Sequence, residues 1–139
     1  MNYLSFIYAF ISTAGFSVLF NIPKDCIIKA SFIGAVGWTI YSIFPSESTI
    51  ITAFFASLTI GILGEIFSRI FKEPVTIFII PGIIPIVPGY GLYYTMLKII
   101  EKDYQSATNI GFESIIIALL IASGLMVSAS ISKLIQRKA

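Results

Sequence analysis

Long runs without a charged side chain alternate with short polar breaks along this chain. The runs are Met1–Pro23, Ala30–Ser46, Ser48–Gly64, Pro74–Leu97 and Ser114–Ser132. The third extends to Phe71 if Glu65 and Arg69 are tolerated inside a helix. At 1.5 Å of rise per residue, each run as a helix is roughly one bilayer thickness. The pattern therefore predicts an all-α fold: a polytopic membrane bundle of about five helices, spanning roughly residues 3–20, 27–44, 49–71, 75–100 and 112–134 of a single domain. The breaks carry helix punctuation: Asn21-Ile22-Pro23-Lys24-Asp25, Pro45-Ser46-Glu47-Ser48, Lys72-Glu73-Pro74 and Glu101-Lys102-Asp103. These read as short hairpin loops, with a polar loop over 101–109 before the last helix.

Composition strengthens the membrane reading. Of 139 residues, 57% are hydrophobic and 12% charged, with a mean hydropathy of +0.95, which leaves too little polar surface for a water-soluble globule. Nine Lys and Arg against seven Asp and Glu give a net charge of +2, too small and scattered for a nucleic-acid partner. Cys26 stands alone and histidine is absent, so no disulfide framework, Cys/His metal site or histidine-based catalysis is expected. No nucleophile elbow, phosphate loop or dinucleotide glycine pattern is present. Glu65 and Glu113 could form an acid pair, but nothing else supports hydrolysis. The chain is not read as an enzyme, and no cofactor is expected.

The first run has no Lys or Arg before Lys24, so it lacks the positive segment of a secretion signal and is expected to remain in the mature protein. A five-span arrangement puts Lys24, Lys29, Arg69, Lys72, Lys133, Arg137 and Lys138 on one side and Lys98 and Lys102 on the other. The positive-inside rule then places the C-terminus in the cytoplasm and the N-terminus outside. If the fourth run were a re-entrant hairpin the asymmetry would shrink. Small residues recur at helical spacing: Ala30, Gly34 and Gly37; Ser57, Gly61, Gly64 and Ser68; Ser114, Ala118, Ala122 and Ala129. Lipid tails are as apolar as leucine, so such stripes let helices associate by close backbone approach. Trp38, Tyr41 and Phe44 read as interfacial aromatics on the outer side.

The fourth run is exceptional. Half of the six prolines fall in Pro81-Gly82-Ile83-Ile84-Pro85-Ile86-Val87-Pro88, followed by Gly89-Tyr90-Gly91. A helix-interior proline costs about 3 kcal/mol, so this span is expected to unwind near its centre. Unwound backbone is tolerated at that depth only where protein buries it or where it lines a polar cavity, as in the discontinuous helices of transporters. A second half-helix beginning near Gly89 would present its N-terminal amides beside Tyr90, Tyr93 and Tyr94, whose spacing puts the phenols on one face, a place where a carboxylate could be held. The competing reading is a kink that only shapes the bundle. Glu65 and Arg69 are four apart and can pair on one helix face; Glu65 is the deeper, hence either a proton or cation relay or part of a structural pair. Glu113 reads as solvated beside the 101–109 loop. Asn21, Lys24 and Asp25 read as a turn rather than a gate.

Phe20-Asn21-Ile22-Pro23, Gly34-Ala35-Val36-Gly37-Trp38 and, above all, Ile80–Gly89 followed by Tyr93 resemble the small, YjjB-like membrane subunit of the threonine/serine exporter family. The resemblance covers nearly the whole chain, and the proline/glycine stretch is its most specific part. It implies export across the plasma (inner) membrane of small carboxylate-bearing metabolites: threonine and serine in fused members, dicarboxylates such as succinate in split ones. It also implies a larger membrane subunit as partner, with a homo-oligomer as a further possibility. The matching residues Pro81, Gly82, Pro85, Pro88 and Gly89 become transport-path candidates. Coupling to a proton gradient is expected, because the sequence has no nucleotide site, with Glu65 as the coupling group. The rival expectation is a non-transporting subunit whose small-residue stripes assemble a membrane complex.

Overall fold

A computed structural model describes residues 3–43 and 49–136. All its regular structure is helical: α1 (Tyr3–Leu19), α2 (Lys24–Ile43), α3 (Thr49–Phe71), α4 (Thr76–Ile83), α5 (Gly89–Ile100) and α6 (Tyr104–Gln136), with a 3-10 turn at Ile84–Ile86 between α4 and α5. Three helices, α2, α3 and α6, are long and apolar enough to cross a membrane, and the bent pair of α4 with its 3-10 turn and α5 makes a fourth. At 17 residues, α1 is apolar but shorter.

Three turns share one solution to helix termination. Asn21, Lys72 and Lys102 sit at positive φ (54°, 57° and 62°) just past the ends of α1, α3 and α5. Each lets the next residue's N–H reach back five positions: Ile22 to the Ser17 carbonyl (3.0 Å), Glu73 to Ser68 (3.1 Å) and Asp103 to Lys98 (3.0 Å). This closure satisfies carbonyls that the helix end leaves open. Glycine usually fills the left-handed position, and its absence hid the motif in the sequence.

The last helix corrects an expectation. It begins at Tyr104, so the polar loop expected over 101–109 shrinks to a turn at 101–103. Asp103 caps the new start by accepting a hydrogen bond from the Ser106 N–H (3.2 Å). Bonds from the Ser106 hydroxyl and N–H hold the Asp103 carboxyl below its ordinary range. Its contribution to the first turn is therefore present above the unfolded-state value and lost as pH falls through the lowered folded one. Polar residues 104–111 stay helical because they pack against α5, where Gly111 meets Thr95 and Gly91 meets Ser114. Glu113 lies inside the helix and is exposed.

Side-chain pairings give the helix directions. Ser57 meets Gly124, Gly61 meets Ser128 and Glu65 meets Ser132, so α3 and α6 run parallel with a constant offset. Thr13 meets Gly34 across antiparallel α1 and α2, and Ile60 meets Gly37 between α2 and α3. The stripes expected on the second and third helices are thus real contact faces, with Ala30, Gly34, Gly37, Ser57, Gly61 and Gly64 buried. On α6 the expected stripe is misplaced. Ser114 is buried, but Ala118 and Ala122 are exposed; the face on α3 is Gly124, Ser128 and Ser132. α4 fills the centre, with Phe78, Pro81, Gly82 and the following Ile86 packed among Ile33 and Ile60. By contrast, α5 buries no residue and packs only on α6.

A methyl group at Gly124 would lie 2.7 Å from the Phe54 carbonyl oxygen and 3.0 Å from the Leu58 N, and backbone atoms cannot swing aside. Gly124→Ala should therefore destabilise the bundle by about 1–3 kcal/mol through overpacking. Gly15→Ala, where nothing lies within 4 Å, should be neutral or stabilising by up to ~1 kcal/mol. Thermal unfolding in detergent of both variants checks this; equal behaviour would refute the α3–α6 contact.

Candidate functional site

The break between α4 and α5 is narrower than the proline count suggests. Pro81 sits inside α4, Pro85 occupies the start of the 3-10 turn, and Pro88 caps α5. The latter two positions tolerate proline because they lack an intrahelical N–H partner in any case. The break expected near the centre of this span is confined to a short stretch: the chain becomes extended only at Val87, a second helix begins at Gly89 as expected, and the halves meet at 52°. Around the bend, the Val87 N–H bonds the Ile83 carbonyl (3.2 Å) and the Gly89 N–H bonds that of Val87 (2.7 Å). α5 starts with no side-chain cap, so its first-turn amides at Tyr90 and Gly91 point outward from the helix end.

The candidate path residues fall into three environments. Pro81 and Gly82 are buried against α2 and α3, where a methyl group on Gly82 would lie 3.2 Å from Ile60 and 3.3 Å from Ile33. Pro85 lines a cleft shared with Ser5, Tyr8, Ser12 and Trp38. Gly89 has open space around it. Tyr90, Tyr93 and Tyr94 form one aromatic group as expected, with ring centroids 4.3 Å apart for Tyr90 and Tyr94 and 5.4 Å for Tyr93 and Tyr94. Tyr90 and Tyr93 are 74% and 64% exposed, so the group faces outward from this chain rather than into its core.

Glu65 and Arg69 do not form a direct ion pair; among the described residues that contact is Lys98 with Glu101, at 2.7 Å. Ser132 of α6 joins them instead. Its hydroxyl donates to the Glu65 carboxylate (2.7 Å), while the Arg69 guanidinium donates to that same hydroxyl (2.5 Å) and to the Ser132 carbonyl (3.1 Å). The side chain of Ser132 is therefore donor to the acid and acceptor from the base, and the cluster is neutral overall. Six residues separate Glu65 from the end of α3, about 9 Å of helix rise. Sequence reading missed Ser132 because its link to Glu65 spans 67 positions; only the parallel α3–α6 pairing brings it there. At the same end of the bundle the Lys29 amine lies 3.6 Å above the Phe71 ring, tying the start of α2 to the end of α3. Trp38 and Tyr41 stack at 5.6 Å, while Phe44, Arg137, Lys138 and the break at 45–48 lie outside the described residues. Among the described residues no group of His, Cys, Asp or Glu could hold a metal ion.

A profile of the threonine/serine exporter family, ThrE, matches residues 5–131, which take in all of α2 to α5 and most of α1 and α6. The chain belongs to this exporter family. A Haemophilus influenzae protein described as uncharacterized is 24% identical over 119 residues, covering 84% of this chain but 40% of that protein. The exporter-family chain thus spans less than half the length of that curated relative. No solved structure matches it.

Removing the Ser132 hydroxyl should leave the Glu65 carboxylate without its donor and Arg69 with only the Ser132 carbonyl. For Ser132→Ala a loss of about 1–3 kcal/mol is expected, while Ser132→Thr should keep most of the stability. Denaturation in detergent measures both, and an Ala variant as stable as wild type would show the bridge to be unimportant.

Proposed function

We propose that the chain is a subunit of a secondary exporter that moves small carboxylate-bearing metabolites, threonine and serine or dicarboxylates such as succinate, out of the cell. The observation that carries this reading is the bent α4–α5 pair in a chain of an exporter family. An uncapped helix start with aromatic hydroxyls beside it suits an anionic group. Pro81, Gly82, Pro85, Pro88, Gly89 and the three tyrosines are the proposed path. Its outward aromatic face is completed by a larger membrane subunit, in keeping with a relative of which this chain covers 40%. A homo-oligomer is the alternative cover.

Five crossings, in the plasma membrane, follow if α1 spans together with the other helices. The end of the bundle holding Lys24, Lys29, Arg69, Lys72 and Lys133 is then cytoplasmic, and the end with Lys98 and Lys102 is outside. Glu65, held by Ser132, which Arg69 holds in turn, is the proposed proton-coupling group. The assembly-subunit reading loses ground because the buried small residues of α2, α3 and α6 meet other helices within this chain.

Co-expression with a longer partner should permit efflux of labelled threonine, serine or succinate from preloaded cells, and the absence of all three with both proteins inserted would reject transport. Glu65→Gln should flatten the pH dependence of efflux while leaving insertion unchanged; an unaltered profile would remove Glu65 from coupling. Pro85→Ala with Pro88→Ala should straighten the bend and slow efflux at least several-fold, whereas normal efflux would reduce the break to a packing kink.

A further inference from the structure

Towards the bundle end that holds Lys29 and Arg69, the contact between α3 and α6 leaves a groove open on one side. Ile62 and Ile66 each follow a contact residue of α3, Gly61 and Glu65, while Val127 and Ile131 each precede one of α6, Ser128 and Ser132. In two parallel right-handed helices those positions flank the contact on the same side. All four are exposed, as is Leu134 beyond them. Arg69, exposed two residues before the end of α3, stands at the mouth of the groove. Ile62 lies seven residues deeper, about 10 Å of helix rise.

The lining differs from the helix contacts of this chain. Those are made where glycine lets a neighbour approach, at Gly34, Gly37, Gly61 and Gly124. The groove instead offers isoleucine, valine and leucine, whose branched side chains hold a neighbouring backbone away. Such a surface suits an acyl chain better than another helix.

The mouth carries a complementary charge. Among the described residues, the contacts of Arg69 use Nη2 alone, toward the Ser132 hydroxyl and carbonyl. These bonds anchor the guanidinium across the two helices and turn its Nε and Nη1 donors to the outer edge, a fork that matches two oxygens of a phosphate. Lys72, exposed at the turn three residues on, adds a second cation. Glu65 lies one helical turn deeper and accepts the Ser132 hydroxyl. Asp25 and Glu73 are also at this end, but so are Lys24, Lys29 and Lys133, and the sequence after Leu134 adds Arg137 and Lys138 with no acidic side chain. The excess is positive where the helix ends and headgroups begin, the arrangement that attracts anionic lipid.

We propose that this groove binds an anionic phospholipid, with the phosphate on Arg69 and Lys72 and an acyl chain along Ile62, Ile66, Val127 and Ile131. The exporter reading is not needed for it. The guanidinium that ties α3 to α6 thus ties both to the leaflet on that side.

Trp38 is the chain's only tryptophan, so Ile66→Trp in a Trp38→Phe background reports from the groove. The full chain is reconstituted in phosphatidylcholine vesicles containing a small fraction of brominated lipid, either phosphatidylglycerol or phosphatidylcholine. Brominated phosphatidylglycerol should quench the emission several-fold more effectively than brominated phosphatidylcholine. With Leu119→Trp as reporter instead, on another exposed face of α6, the two lipids should quench equally. Arg69→Gln with Lys72→Gln should abolish the preference in the groove, whereas Lys98→Gln with Lys102→Gln, which removes the same charge from the opposite end, should keep it. Equal quenching by the two lipids in the groove would overturn the proposal in favour of bulk lipid. Quenching by neither would overturn it in favour of a protein surface, such as a second copy, covering the groove, and a preference that survives loss of Arg69 and Lys72 would refute the phosphate contact. The lipid comparison uses native Arg69 and Lys72, so it decides the proposal even where the double variant fails to fold.

Discussion

Close backbone contact between α3 and α6 is the constraint on which the rest of the bundle depends. In a bilayer there is no hydrophobic gain from bringing two apolar helices together, so association needs approach near enough for dense van der Waals contact and short polar bonds. Ser57 with Gly124 and Gly61 with Ser128 permit that approach. Once α3 and α6 lie parallel, the intervening segment has to return along the bundle, and α4 with α5 makes that return. The same register carries Ser132 to Glu65 and Arg69, so the polar cluster is a consequence of the small-residue contact.

The return segment differs sharply between its halves. α4 is the centre of the fold, packed on α2 and α3, while α5 leaves the core after the 52° bend and touches α6 alone. A continuous straight helix would have to share one environment along its length. Prolines at the start of the 3-10 turn and at the cap of α5 divide it where the loss of an N–H costs least. The bend therefore brings together a buried proline–glycine step, a cleft at Pro85 and an outward tyrosine face.

Charge is distributed with similar economy. Glu65 and Arg69 share one serine, which links the half-buried carboxylate to the exposed guanidinium without a direct salt bridge. Among the described residues, no charged side chain lines the cleft between α1 and α2. The Glu65–Ser132–Arg69 cluster and the hydroxyls of the α1–α2 cleft consequently sit on different helix pairs, joined through α4, which packs against both α2 and α3.

Much of this protein was legible in one dimension. Apolar run length announced the helices, since crossing a bilayer takes a minimum number of apolar residues. The proline cluster announced the break, and the phenol spacing announced the Tyr90, Tyr93 and Tyr94 group. Motif residues at Pro81–Gly89 pointed to the family whose profile covers residues 5–131. Local chemistry sufficed for these because each depends on residues near in sequence. Tertiary structure alone decided which α6 face is buried, because α6 is apolar nearly all round and periodicity could not choose between its alanines and Gly124, Ser128 and Ser132. It also extended α6 through the polar residues 104–111, where contact with α5 outweighs weak local preference. Finally, it supplied Ser132 to Glu65 and Pro85 to the α1–α2 cleft, contacts that exist only once helices remote in sequence lie side by side.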